Sequence, residues 1–133
     1  MALENISNRL RSASSSRVFF GDVVYSTGGR FGPRVQHDYQ LLVMVEGQVE
    51  ITVDGATRKM VAGQMGLLLP GMQEGFYFQD GVKSHHTWCA IRPSLVPAEL
   101  AEGCQRAASV LPLSRRFDQL IEVGLALPLT TGT

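Results

Sequence analysis

The chain has 133 residues, 44% of them hydrophobic and 18% charged, which is the size and texture of one globular domain with its own core. Its 12 Lys and Arg balance its 12 Asp and Glu and no basic run stands out, so this chain by itself does not read nucleic acid. Two cysteines, Cys89 and Cys104, exclude a disulfide framework and are expected as free thiols, while the Ser-rich start and the absence of any long apolar run lead to the cytoplasm as the expected compartment, with no membrane partner.

In chain order, residues 1–16 read as a loose N-terminal arm. From Val18 onward short apolar runs alternate with glycine turns. Val18 to Tyr25 is a strand, and Gly28, Gly29, Gly32 and Pro33 then break the chain. Tyr39 to Glu46 is a second strand, ended by Gly47. Val49, Ile51 and Val53 alternate with Gln48, Glu50 and Thr52, the period of a half-buried strand. Asp54-Gly55 suits a two-residue hairpin turn, because both of its positions need positive φ. Thr57 to Val61 pairs back, Met65 to Leu69 follows, and Phe76 to Phe78 and His85 to Arg92 complete about eight strands. Short strands at this spacing predict an antiparallel barrel or sandwich.

After Pro93 the period changes. Ala98 to Val110 carries Leu100, Cys104, Ala107 and Ala108 on one helical face, with Pro97 fitting the first turn. Pro112 breaks that helix. Ser114 is placed to cap a second one, along which Phe117, Leu120, Ile121, Gly124 and Leu125 recur at helical spacing until Pro128. The expected organisation is an arm (1–16), an all-β barrel (17–93), a helical segment (94–128) and the start of a linker (129–133).

Two stretches resemble the paired motifs of the cupin superfamily. The first ends in a glutamate, six residues and a glycine; counting back from Gly47 puts Gln40 at the glutamate position, with His37 as the sole upstream histidine. The second begins at Gly63, runs through Leu69-Pro70-Gly71, and places Glu74 where the motif has histidine. A metal cupin converges three histidines and a carboxylate on one ion. With Gln40 and Glu74 at those positions, the barrel is expected to hold no transition metal and no cofactor.

A closer resemblance covers about residues 18 to 128. His37-Asp-Tyr-Gln-Leu-Leu-Val-Met-Val-Glu-Gly, then Ala62-Gly63-Gln64-Met65-Gly66, then His86-Thr-Trp-Cys-Ala-Ile-Arg-Pro93 look like the N-terminal sensor domain of AraC-type transcription regulators. That resemblance implies a mainly β, cupin-type double-stranded β-helix (jelly-roll) barrel followed by two C-terminal α-helices. It also implies a small-molecule effector, pairing of two subunits through the helices, and DNA contact only through a separate C-terminal domain that this chain lacks.

Strand parity extends the resemblance to a pocket. With Gln40 inward, Leu42, Met44 and Glu46 follow; with Glu74 inward, Phe76 and Phe78 follow. Arabinose-responsive members of the family contact sugar at the positions of Glu46, Phe76, His86 and Trp88. Glu46 stands where they have arginine and Phe76 where they have tyrosine, so a different ligand is implied. The expected ligand-binding set is Gln40, Met44, Glu46, Glu74, Phe76, His86 and Trp88. Trp88 and Phe76 offer flat faces, and His86 can donate or accept. Glu46 and Glu74, if buried, need protons, a suitable ligand, or arginines such as Arg30 or Arg34. Phe117, Leu120, Ile121, Gly124 and Leu125 form the expected dimerisation stripe. No nucleophile triad or phosphate loop is visible, so the chain is expected to bind rather than catalyse; the alternative is a small metal-dependent cupin isomerase or dioxygenase.

Overall fold

Alternation of apolar and polar side chains builds the fold. In the computed structural model, which describes residues 6–12, 18–107 and 109–126, the strands are β1 (Ile6–Ser12), β2 (Val18–Tyr25), β3 (Gly29–Val35), β4 (Tyr39–Glu46) and β5 (Gln48–Val53). They continue as β6 (Ala56–Val61), β7 (Gln64–Leu68), β8 (Gln73–Phe78), β9 (Ser84–Ile91) and β10 (Val110–Pro112). Helices α1 (Ala98–Arg106) and α2 (Arg115–Ala126) come last, on either side of β10. A six-stranded antiparallel sheet, β1-β2-β9-β4-β7-β10, faces a four-stranded one, β3-β8-β5-β6. This is the double-sheet cupin barrel with two C-terminal helices. Asp54 and Gly55 both take positive φ, 48° and 87°, and close the β5–β6 hairpin in the turn that matches strand twist.

Two cores result. Between the sheets, Val23, Tyr25, Leu42, Met44, Val49, Ile51, Phe76 and Phe78 pack with Met60 and Leu68. On the outer face of the six-stranded sheet, Phe20, Val43, Met65 and Cys89 pack under Ile121 of α2, with Phe117, Leu125, Leu111 and Leu113 at the margin. Ser114 caps α2: its Oγ accepts from the Phe117 N–H at 3.3 Å.

Three expectations are corrected. Part of the supposed arm, Ile6–Ser12, is a strand paired with β2 from Ile6↔Tyr25 to Ser12↔Phe19; with Ile6 and Leu10 as its only apolar residues, its composition looks like a loop. Of the supposed break, Gly28 does precede a new strand, but Gly29, Gly32 and Pro33 lie within β3, which runs through Pro33 with a register shift between Phe31 and Arg34. An edge strand tolerates a proline because one side of its backbone has no sheet partner to satisfy. The first helix stops at Arg106, and Val110–Pro112 instead pairs with β7, with Leu67 N–H donating to Ser109 O at 2.9 Å. An open edge of β7 competes for this backbone and wins. Helix α1 buries none of its residues, and Leu100 is 57% exposed, so the face that carries it does not pack on the barrel. Ala108, Pro128, the tail 129–133 and the rest of the arm lie outside the described residues.

Candidate functional site

The two sheets do not fill the space between them at one end. A cavity of about 550 Å3 remains there, within the range of small-molecule sites. Alternation on β2 turns Phe19, Val23 and Tyr25 into it. On β9 the same alternation supplies His86, Trp88 and Ala90, and on β8 it supplies Phe76 and Phe78. Gln40 and Leu42 come from β4 and Phe31 from β3, while Arg34 of β3 and the following Gln36 and Asp38 form the polar end with Gln40. A larger depression of about 740 Å3 lies against β3, β5 and β8, but on their solvent side: its Glu50 and Thr52 are exposed, alternating with buried Val49 and Ile51.

Glycine makes room for the tryptophan. Gly21 pairs with Trp88 across β2 and β9, and a Cβ there would fall among the indole atoms Cε2, Nε1 and Cζ2. The apolar wall is a set of near-parallel rings. Tyr25 and Phe78 stack at 4.4 Å, Phe78 and His86 at 5.2 Å with 12° between planes, and Phe76 follows Phe78 at 6.4 Å. Burial, helped by the neighbouring His85 charge and opposed by Asp22, lowers the His86 imidazole to about 4, so it is neutral near pH 7. Its Nδ1 is buried without a hydrogen-bond partner among the described residues.

The polar end is a network around one guanidinium. Arg34 donates from Nε to Glu74 Oε1 at 2.9 Å and from Nη2 to Gln40 Oε1 at 2.9 Å. Gln36 Nε2 donates to the same two oxygens, at 2.8 Å to Gln40 and 3.1 Å to Glu74. Gln36 Oε1 accepts from the Asp38 N–H at 3.0 Å. Burial raises the Glu74 carboxyl above its ordinary range, against the pull of Arg34 and of the Gln36 hydrogen bond. Glu74 Oε2 and Asp38 Oδ1 are buried without hydrogen-bond partners among the described residues.

This network stands where a metal cupin keeps its ligands, and its donors do not suit a metal. Gln40 and Glu74 already hold a permanent cation between them, and among the described residues no group of three or more His, Cys, Asp or Glu could gather around an ion. His37 is exposed.

Of the expected set, Gln40, Phe76, His86 and Trp88 border the cavity. Glu74 is buried behind it, held by Arg34 rather than Arg30, which stacks on Tyr77 at 4.5 Å. Met44 faces inward but sits in the core, away from the cavity wall. Glu46 does not face inward. Met44 pairs with His86, whereas Glu46 pairs with His85, so Val45 is an extra residue in β4. That bulge reverses the parity beyond it, and Glu46 is exposed beside Lys83 at 3.6 Å. Tyr25, Phe31, Gln36 and Asp38 were not in the set. The β2 alternation that defines Val18–Tyr25 carries a signal for Tyr25; Gln36 and Asp38 lie in the loop between β3 and β4, whose path no periodicity encodes.

The helical stripe also divides. Ile121 is fully buried and Gly124 lies against Phe20, both on the molecule's own barrel, with Phe117 and Leu125 partly buried beside them. Leu120 stays 51% exposed, next to Val123 at 59%.

Several of the solved structures that resemble this chain are named as cupins. A cupin superfamily protein from Desulfitobacterium hafniense superposes with a TM-score of 0.59 at 13% identity, over 65% of this chain and 77% of that one. The cupin domain of Cnp3 from Schizosaccharomyces pombe gives 0.62 at 13% identity, over 68% of this chain and 67% of that one. AerE from Microcystis aeruginosa gives 0.65 at 14% identity, over 83% of this chain and 48% of that one. At such identities the likeness shows the fold alone. No curated protein matches the chain. Among the described residues no helix is long and apolar enough to cross a membrane. The family described as the AraC-like ligand binding domain matches residues 19–124, from the second residue of β2 to Gly124 of α2, and the chain belongs to that family.

Proposed function

We propose that this chain is the effector-sensing and dimerisation domain of an AraC-type transcriptional regulator, acting in the cytoplasm and reaching DNA through a separate domain. The observation that carries the reading is the cavity itself: an inter-sheet space of about 550 Å3 with an aromatic wall, a polar end and buried polar atoms left without partners. Such a chamber suits a small molecule that stacks on rings and satisfies those atoms. Gln40, Phe76, His86 and Trp88 are the proposed contacts, with Glu74 positioning Arg34. The Arg34-bridged network favours binding over the metal-dependent enzymatic alternative, because a guanidinium occupies the place between Gln40 and Glu74. Leu120 and Val123 are the proposed subunit contacts, as neighbouring apolar side chains exposed on α2.

A ligand screen read by thermal shift tests the sensor reading. Compounds that stabilise the wild type and fail to stabilise Trp88→Ala support it, provided that variant stays folded. A screen in which stabilisation is indifferent to Trp88→Ala overturns it. For the subunit contact, sedimentation of the wild type is compared with Leu120→Glu/Val123→Glu. These positions leave the buried Ile121 untouched. A dimer that persists in the double variant refutes the assignment of that face.

A further inference from the structure

We propose that the cavity takes a flat aromatic ligand bearing a protonated amine, with the amine at Asp38 and the ring between Phe76 and Trp88. The proposal rests on the cavity being the effector site and adds the charge and shape of the effector.

Shape follows from the rings. Phe76 belongs to the four-stranded sheet and Trp88 to the six-stranded one, so aromatic faces reach the cavity from both sides. A planar ring can use both, whereas a saturated chain fills such a slot poorly. Charge follows from a count of the lining. Arg34 is the one permanent cation among the described residues that border the cavity, and it is engaged by Glu74 and Gln40. His86 is neutral near pH 7. Asp38 also borders the cavity, and its Oδ1 is buried without a hydrogen-bond partner among the described residues. The main chain that carries this carboxylate is anchored, since the Asp38 backbone N–H donates to Gln36 Oε1. An anionic ligand would bring a second negative charge to Asp38 with the cation already committed. An ammonium supplies the missing donor and the missing charge together. His86 Nδ1, also without a partner, is available to a phenol or ring nitrogen at the aromatic end.

Three probes that share one ring and differ in charge provide the test: tyramine, neutral 4-ethylphenol and anionic 4-hydroxyphenylacetate. The chain's single tryptophan, Trp88, lines the cavity and reports binding by its fluorescence. Tyramine is expected to bind about 10-fold more tightly than 4-ethylphenol at neutral pH, with 4-hydroxyphenylacetate weakest, as one new opposite-charge contact implies. Asp38→Asn is expected to abolish that preference, so that the variant binds tyramine and 4-ethylphenol with about equal affinity. An anion that binds as tightly as the amine, or an amine preference that survives Asp38→Asn, overturns the proposal. Equal binding of amine and neutral probe also overturns it, yet leaves the effector-site reading intact. Silence from all three probes overturns the amine assignment, and the Trp88→Ala screen then decides the effector site separately.

Discussion

Gly21 and Trp88 face each other across β2 and β9, and the indole occupies the space that a side chain at Gly21 would need. Gly21→Ala is therefore expected to push the indole from its place and to destabilise the domain by about 1–3 kcal/mol, the range for overpacking. Thermal melting and the Trp88 emission spectrum check this. An unchanged melt with unchanged emission would show that the indole does not rest on the strand.

Two helical glycines make opposite predictions. A Cβ at Gly103 of α1 meets nothing within 4 Å, so Gly103→Ala should stabilise by up to about 1 kcal/mol through helix propensity. A Cβ at Gly124 of α2 would enter the Phe20 ring, so Gly124→Ala should destabilise by about 1–3 kcal/mol despite the same propensity gain. Urea melts of the two variants should shift in opposite directions.

The neutral, buried His86 sets an acid limit. Its folded value is lowered to about 4 from 6.5, so between those values the unfolded chain binds the proton and the folded one does not. Stability from this group is complete above pH 6.5 and falls as the pH drops, by up to about 3 kcal/mol near pH 4. Glu74 acts with the opposite sign, since a raised carboxyl loses stability as the pH rises past its unfolded value. Denaturant melts of wild type and His86→Gln across pH 4–7 separate them: the variant should lose the histidine slope and keep the rest.

Arg34 holds a carboxylate whose side chain is fully buried, while its own side chain is 39% exposed. Arg34→Ala should destabilise by about 2 kcal/mol, less than for a wholly buried pair because water reaches the guanidinium. Adding Glu74→Gln should restore part of that loss, which a double-mutant cycle measures. A fully additive cycle would show that the two side chains are not coupled.

The thiols differ by environment. Cys89 is buried under α2 and burial raises it to about 11, whereas Cys104 is partly exposed on α1. Iodoacetamide at neutral pH should label Cys104 alone in the native chain, and Cys104→Ser should remain unlabelled until unfolded.

Much of the fold could be read because its strands alternate and its turns carry glycine. The limits of β2, β4 and β5 follow from periodicity, and Gln40, Phe76, His86 and Trp88 reach the cavity because their strands keep a constant parity up to those positions. Parity failed at Glu46 because Val45 bulges, and an inserted residue leaves no mark in a run as apolar as Leu41 to Val45. Asp38 and Gln36 were invisible for another reason: a loop residue's neighbours are set by tertiary packing, and no local period announces them. The dimer stripe was overdrawn because a helical period records one apolar face without saying whether a barrel or a partner covers it. Ile121 and Gly124 turn out to meet the barrel, and Leu120 does not.

Phe20 and Gly21 are consecutive residues of β2 that point to opposite sides of the sheet. Phe20 lies against Gly124 of α2, and Gly21 lies against Trp88 in the chamber. At both contacts the missing Cβ brings backbone and ring into direct touch, so neither joint has a flexible side chain to absorb movement. The chamber and the outer helix are separated by a wall one strand thick, and the seat of the indole and the seat of the helix are a single peptide unit apart along β2.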